Sequence, residues 1–189
     1  MGRVEEEGSG NLVKRGWASK EGRAAERADP WEVAVKLLAM RALTAHELRQ
    51  RLARRGYAAD EIQAVVARLV ASRYLDDVQY ARAWAHARAH RHSVGPARLA
   101  RELRSKGIAE AEISRALREA FDERDAREVA EAAAIRKMKG LRDVPPEVAR
   151  RRLGAFLTRK GFAVEIVLAL CRKHFPHGED PNAPMTNDQ

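Results

Sequence analysis

One pattern occurs three times along the chain and constrains its fold more than any other feature. In each copy two leucines stand four residues apart, and a basic residue, a glycine and an apolar residue follow after a short gap. The copies are Leu48, Leu52, Arg55, Gly56 and Tyr57, then Leu99, Leu103, Lys106, Gly107 and Ile108, then Leu153, Leu157, Lys160, Gly161 and Phe162. The glycines are 51 and then 54 residues apart. This spacing predicts a tandem array of three similar structural units.

The residues of the pattern indicate two helices joined by a tight turn. Two leucines four residues apart lie on one face of a helix and can be buried together. A glycine at the end of that stripe suits a helix C-terminus, because it enters the left-handed region without steric cost, and the preceding basic residue favours the negative end of the helix dipole. A second apolar stripe starts six residues after each glycine, at Ile62, Ile113 and Val167. Each unit is therefore predicted to hold these two helices and one preceding helix.

The composition and the helix-start signals support an all-helical fold. The 189 residues include 35 alanines but only 22 valines, isoleucines and threonines, in which strands are usually rich. Thr44 with Glu47, and Asp76 with Gln79, have the spacing of capping boxes, and Pro96 suits a first helical turn. We predict an all-α fold of tandem three-helix repeats, with about nine helices over residues 31–42, 44–55, 59–72, 76–91, 96–106, 109–121, 123–139, 146–160 and 163–174. The residues Trp31, Val35, Leu38, Tyr80, Trp84, Phe121 and Phe175 are assigned to core packing.

Charge divides the chain into five segments. Residues 1–30 hold six basic and six acidic side chains with no sustained apolar stripe, which predicts a disordered polar leader. Residues 176–189 have a net charge of −3 and predict a flexible acidic tail. The remainder carries +12 and is predicted to form three modules, 31–73, 74–122 and 123–175, with net charges of +4, +2 and +6. Such an array attracts polyanions, and we expect the two terminal modules to contribute most to that attraction.

The sequence contains no constellation of residues typical of catalysis. His86 and His90 have the spacing of a metal pair on one helix face, but no carboxylate between them matches the zinc-protease pattern and no cysteine pair accompanies them. There is no glycine-rich phosphate loop, and the single cysteine, Cys171, cannot form an intramolecular disulfide. We predict a protein that is not an enzyme and that has neither a metal nor a cofactor. No apolar run approaches the length of a membrane span and no signal peptide is recognisable, so a cytoplasmic monomer is expected.

The middle unit contains motifs that resemble a known family. The segment Tyr74-Leu75-Asp76-Asp77, a Gly95-Pro96 pair and the turn Lys106-Gly107-Ile108 are similar to the signature of the RecX family of bacterial RecA regulators. That family commonly has glycine where this chain has Arg73. The resemblance covers about residues 31–175 and implies an elongated, curved array of three-helix repeats. In that array the residues Tyr74, Leu75, Asp76, Asp77 and Gly107 are mainly structural.

The resemblance also implies a function and its partners. Family members bind the RecA filament on single-stranded DNA, lying in its helical groove. They modulate, and mostly inhibit, the recombinase, ATPase and co-protease activities of RecA in DNA repair and the SOS response. Weak binding to duplex DNA is a further expectation. Such a regulator needs a long contact surface and no cofactor.

Basic residues on the middle helix of each module are the candidate contacts with the RecA filament and DNA. They are Arg51, Arg54, Arg55, Arg98, Arg101, Arg104, Lys106, Arg150, Arg151, Arg152, Arg159 and Lys160. Two other interpretations stay open. A short helix pair joined at glycine also occurs in independent helix-turn-helix DNA-binding proteins, and a helical repeat can serve as a scaffold for another protein.

Overall fold

Helices make up all regular secondary structure in the residues that the computed structural model describes, 27–122 and 126–176. This confirms the predicted all-α fold class. The helices are α1 (Pro30–Met40), α2 (Ala45–Ala53), α3 (Ala59–Ala71), α4 (Asp77–His92), α5 (Pro96–Ser105), α6 (Glu110–Asp122), α7 (Ala126–Met138), α8 (Pro146–Lys160) and α9 (Val164–His174), and a short 3-10 turn, Lys139–Leu141, follows α7. Most of the predicted leader and acidic tail, residues 1–26 and 177–189, lies outside the described residues.

The helix ends follow the capping signals in the sequence. At the start of α2 the Thr44 hydroxyl accepts the backbone N–H of Glu47 at 3.1 Å, and the Glu47 carboxylate accepts the backbone N–H of Thr44 at 3.2 Å. Before α4 the Asp76 carboxylate accepts the N–H of Gln79 at 2.9 Å. The predicted left-handed turns are also present. Their φ angles are +80°, +76° and +88° at Gly56, Gly107 and Gly161.

Each group of three helices buries the leucine pair of its repeat copy. The leucines 48, 52, 99, 103, 153 and 157 are all at 0% exposure. They lie in clusters that belong mainly to α1–α3, to α4–α6 and to α7–α9. Full burial of one leucine side chain contributes about 1.5–3 kcal/mol, so the pair anchors each group. The closest helix packing among the described residues also stays within these groups.

The apolar face of α1 is buried to different depths. Ala34 and Leu37 are the buried residues of this helix, whereas Val35 and Leu38 are half-buried. With Trp84 of α4, the latter two line an open groove of about 670 Å³ between α1 and α4. Val35 and Leu38 nevertheless pack against the core cluster of the first three helices, as Trp31 does, which agrees with their assignment to core packing.

The connection from α3 to α4 holds a residue in the left-handed region. Arg73 has a φ of +57°, a conformation that costs a non-glycine residue about 1–2 kcal/mol. Its N–H donates to the Val70 carbonyl at 3.0 Å, so the turn that closes α3 is formed. This is the position where the family identified by resemblance commonly has glycine, and the turn here is made by arginine.

Candidate functional site

The repeat turns connect the modules as well as ending the helices. The turn after α5 contacts the start of α2, and the turn after α8 contacts the start of α5. We call the contact of residues 106–107 with 44–47 the first joint, and the contact of residues 160–161 with 92–98 the second joint. A Cβ at Gly107 would collide with the His46 side chain, and a Cβ at Gly161 would collide with the backbone of Arg98. Glycine is therefore required there for close approach as well as for its φ angle.

The first joint is held by side chains whose charges cancel. The Thr44 hydroxyl donates to the Lys106 carbonyl at 2.7 Å, and the Lys106 ammonium lies 2.8 Å from a carboxylate oxygen of Glu47. The two charged side chains are only 18% and 19% exposed. Asp77 joins the contact by accepting the backbone N–H of Ala45 at 2.9 Å. Lys106 and Asp77 thus stabilise the contact between the first two modules.

The pKa values of the first joint reflect this pairing. Burial disfavours both charged forms, yet the hydrogen bond and the opposite charge of Lys106 hold the pKa of Glu47 below its usual value. Burial alone would lower the pKa of Lys106, but hydrogen bonding to Glu47 and Tyr80 outweighs it and raises that pKa. The ammonium also lies 4.4 Å from the ring centroid of Trp84, where the aromatic face favours a cation.

The second joint is held mainly by backbone groups. The N–H groups of Gly95 and Ala97 donate to the carbonyls of Lys160 and Gly161 at 2.8 and 3.2 Å. Two N–H groups at the start of α5 are therefore bonded to the end of α8, in the absence of a side-chain cap. The Lys160 ammonium donates to the backbone carbonyl of His92 at 2.7 Å.

Cations outnumber anions at the second joint. Glu102 accepts hydrogen bonds from Arg88 at 2.6 Å and from Arg98 at 3.0 Å. Lys160 and Arg136, in contrast, form no ion pair with any residue that the structure describes, and Arg136 donates to the hydroxyl of Ser93. Burial, and then the charges of Arg98, Arg136 and Arg88, lower the pKa of Lys160. The equivalent lysines of the two joints thus have pKa shifts of opposite sign.

The remaining predicted contact residues differ in their surroundings. Five are exposed and form no ion pair with other described residues: Arg54, Arg101, Arg151, Arg152 and Arg159. Arg104 is bound to Glu110 at 2.9 Å, and Arg55 donates to the Arg51 carbonyl at 3.1 Å. Arg150 is half-buried, and its carbonyl accepts from the Cys171 thiol at 3.8 Å. The structure brings Arg98 and Lys160 together and places Lys106 in a separate, neutralised contact.

Two cations of the second joint were not among the sequence candidates. Arg88 lies near the end of α4 and Arg136 near the end of α7, outside the middle helices. Their proximity to Lys160 depends on tertiary packing, and no repeat position marks them. Arg136 is a basic residue in the last turn of its helix, which is a common pattern, and Arg88 lies before the last turn of α4, so no local pattern would have distinguished them.

Membrane-spanning helices and metal clusters are both absent from the described part of the chain. No helix there is long and apolar enough to cross a bilayer. Within residues 27–122 and 126–176, no group of three or more His, Cys, Asp or Glu side chains is arranged to hold a metal ion.

Three-helix groups joined at glycine turns, with a basic surface, define an all-helical tandem-repeat protein. Family models match two of its groups, as "RecX, second three-helix domain" over residues 76–117 and "RecX, first three-helix domain" over residues 31–69. A "Regulatory protein RecX" of Pelodictyon phaeoclathratiforme is 31% identical over 151 residues, which are 80% of this chain and 92% of the relative. Another from Halorhodospira halophila is 35% identical over 141 residues, 73% of this chain and 83% of the relative. The chain belongs to the RecX family of regulatory proteins, as the resemblance predicted.

Solved structures show the same fold. The crystal structure of RecX from Lactobacillus salivarius superposes with a TM-score of 0.65 at 17% identity, covering 76% of this chain and 93% of the other. A second crystal structure, of a regulatory protein RecX, gives a TM-score of 0.69 at 21% identity and covers 82% of this chain and 75% of the other. The helical repeat is therefore an architecture that this chain shares with both.

Proposed function

We propose that this protein binds the RecA filament on single-stranded DNA and modulates RecA, mostly by inhibiting its recombinase, ATPase and co-protease activities. Membership of the RecX family makes a regulatory role the starting point. The observation that carries the proposal is a set of four exposed arginines that form no ion pair with another described residue: Arg101 on α5 and Arg151, Arg152 and Arg159 on α8. A surface of unpaired guanidinium groups suits a nucleoprotein, which presents phosphates along its length.

In the proposed mechanism this protein acts by binding to the RecA filament and catalyses no reaction of its own. A protein lying along a filament can restrain successive RecA subunits and so slow a cycle that needs them to change conformation. It requires length, which three linked groups of helices supply, and it requires joints that hold those groups in a defined order. We expect the protein to act in the cytoplasm as a monomer and without a cofactor.

The test is a titration of the single-strand-dependent ATPase of RecA with the full-length chain. The native protein is expected to lower the rate at concentrations below that of RecA. The triple variant Arg151→Ala, Arg152→Ala, Arg159→Ala is expected to need roughly tenfold more protein for the same effect, since it removes three charge-assisted hydrogen-bond donors. An unchanged ATPase rate across the titration with native protein would overturn the proposal.

A matched control keeps the change in net charge the same. The variant Arg118→Ala, Arg142→Ala, Arg172→Ala also removes three exposed arginines, but from outside the middle helices. It is expected to inhibit RecA within about twofold of the native protein, because screened surface charges away from the contact contribute little. An equal weakening in both triple variants would mean that overall charge, and not this surface, determines binding.

An independent helix-turn-helix DNA-binding protein is the alternative function. In that case the second helix of a pair, α3, α6 or α9, would present its first turn to the DNA. Those turns carry acidic residues, which phosphates repel: Asp60, Glu61, Glu110, Glu112 and Glu165. The alternative predicts a strong preference for one duplex sequence, and a flat profile over a random duplex library would exclude it.

A further inference from the structure

The second joint contains more positive charge than its own residues neutralise. Four cationic side chains from four helices meet there, and Glu102 is the one carboxylate bonded to any of them among the described residues. Two of the four bind neutral oxygens instead and the other two share Glu102, so the cluster has a net charge of +3. The four are Arg88, Arg98, Arg136 and Lys160.

We propose that the second joint binds a backbone phosphate of single-stranded DNA, and that the phosphate ties the second and third groups of helices together. Arg98 comes from α5, whereas Arg136 and Lys160 come from α7 and α8. One anion placed among them contacts both sides of the joint. The proposal deepens the proposed function and rests on it for the choice of nucleic acid as partner.

A phosphodiester backbone fits the surroundings of this joint better than a protein carboxylate does. Exposed arginines continue away from it on both helices, with Arg101 one turn beyond Arg98 and Arg159 directly before Lys160. A carboxylate on a partner protein places one charge at one position. A nucleic-acid strand has a charge at every nucleotide, so it can contact a row of basic side chains as well as a single cluster.

The first joint provides the contrast within the same molecule. Lys106 stands at the same repeat position as Lys160, directly before the glycine. Its charge is matched by Glu47 at 2.8 Å, and both side chains are largely buried. A phosphate there would have to displace an internal carboxylate, whereas at the second joint it would find un-neutralised cations.

The energetics of the free protein favour uptake of an anion at the second joint. Burial and three neighbouring guanidinium groups lower the pKa of Lys160, which means that its protonated form is disfavoured there. A bound phosphate opposes that repulsion. By linkage, an anion that binds the folded joint also stabilises the folded protein.

The proposal is tested with the full-length protein and a fluorescein-labelled oligothymidylate, in the absence of RecA. Binding is measured by fluorescence anisotropy over a series of salt concentrations. The variant Arg136→Ala, Lys160→Met is expected to bind roughly tenfold more weakly at moderate salt. Its slope of log K against log salt is expected to be smaller by about 0.7 for each phosphate of the single strand that the variant no longer neutralises.

Three controls separate the site from general charge and from misfolding. Lys106→Met removes the equivalent lysine at the first joint and should change the affinity less than twofold. Arg118→Ala with Arg172→Ala removes two charges elsewhere and should do the same. Lys160→Arg, which retains the charge, should keep most of the affinity, and circular dichroism shows whether each variant is folded.

Several outcomes would overturn the proposal. One is native affinity and native salt slope in the folded double variant, and another is an equal weakening in the Arg118→Ala, Arg172→Ala control. A third is weakened binding of the double variant to labelled polyglutamate with unchanged binding to oligothymidylate, which would make an acidic protein surface the partner.

Two further outcomes separate the phosphate site from the proposed function. If native protein inhibits RecA while second-joint variants bind DNA normally, the phosphate site is wrong and the proposed function stands. If DNA binding depends on the joint but RecA is unaffected, the proposed function is wrong and the site stands.

Discussion

The two joints occupy the same place in the repeat but are built from different groups. In the first, Lys106 and Glu47 neutralise each other and Thr44 supplies the cap. In the second, backbone N–H groups meet backbone carbonyls directly, and Lys160 and Arg136 have no anionic partner among the described residues. Both joints are therefore formed by a glycine turn that contacts the start of another helix. The neighbouring side chains can stabilise the fold at one joint and bind a partner at the other.

The largest expected effect concerns the glycine turns themselves. Gly161→Ala should lower the free energy of unfolding by about 3 kcal/mol, because it adds a left-handed alanine and a collision with the backbone of Arg98. Gly56→Ala should cost about 1 kcal/mol, because only the flexible side chain of Arg27 lies in the way. Urea denaturation measures both. Equal costs would show that the turn at Gly161 has no special role in joining modules.

The next effect concerns the ion pair of the first joint. Glu47→Gln should lower the free energy of unfolding at neutral pH by about 1–2 kcal/mol, because it leaves a largely buried ammonium without its partner. The pKa of Glu47 is lowered by folding, so its stabilisation is present above pH 4.5 and is lost as the pH falls through the folded pKa. The free energy of unfolding of the variant should therefore depend less on pH over this acidic range than that of the native protein. An equally steep pH dependence in the variant would contradict the assigned role of Glu47.

A smaller effect is expected at the connection beside the first joint. Arg73→Gly should raise the free energy of unfolding by about 1 kcal/mol, because the left-handed φ of +57° no longer strains the residue. Ala64→Gly, at an exposed position in the interior of α3, is the contrasting substitution and should be destabilising by roughly the same amount. Thermal denaturation of both proteins distinguishes a local backbone effect from a general effect of glycine.

The smallest effect is expected at the lysine of the second joint. Lys160→Met should change the free energy of unfolding at neutral pH by less than about 0.5 kcal/mol, since removal of the hydrogen bond to His92 is offset by relief of repulsion. Because folding lowers the pKa of Lys160, this group adds stability as the pH rises through its folded pKa towards 10.5. The variant should lack that rise in alkaline unfolding experiments. A cost as large as that of Glu47→Gln would make the two joints energetically equivalent.

The sequence alone predicted the elements that depend on local order. The leucine pairs are buried, the glycines have positive φ, and the caps at Thr44 and Asp76 are formed, because spacing along one helix decides each of them. On α1, Val35 and Leu38 pack against the core cluster as predicted, but they are only half-buried because they border a groove. Periodicity identifies an apolar face but does not say which of two adjacent faces packs more tightly.

The joints themselves could not be predicted in this way. Thr44 contacts a residue 62 positions later, and Lys160 contacts one 68 positions earlier. Glu47 was recognised as a capping residue, but its second role as the partner of Lys106 has no local signal. The sequence pattern puts Lys106 and Lys160 in the same class of candidate residue, and only their surroundings separate them.

We propose that contact with the nucleoprotein depends on the un-neutralised second joint and not on the first. The most direct measurement compares inhibition of the single-strand-dependent ATPase of RecA by the Arg136→Ala, Lys160→Met variant and by the Lys106→Met variant, each checked for folding. We predict that the second-joint variant needs roughly tenfold more protein than the native chain, whereas the first-joint variant stays within twofold. Equal inhibition by both variants, or a greater weakening in Lys106→Met, would contradict this assignment.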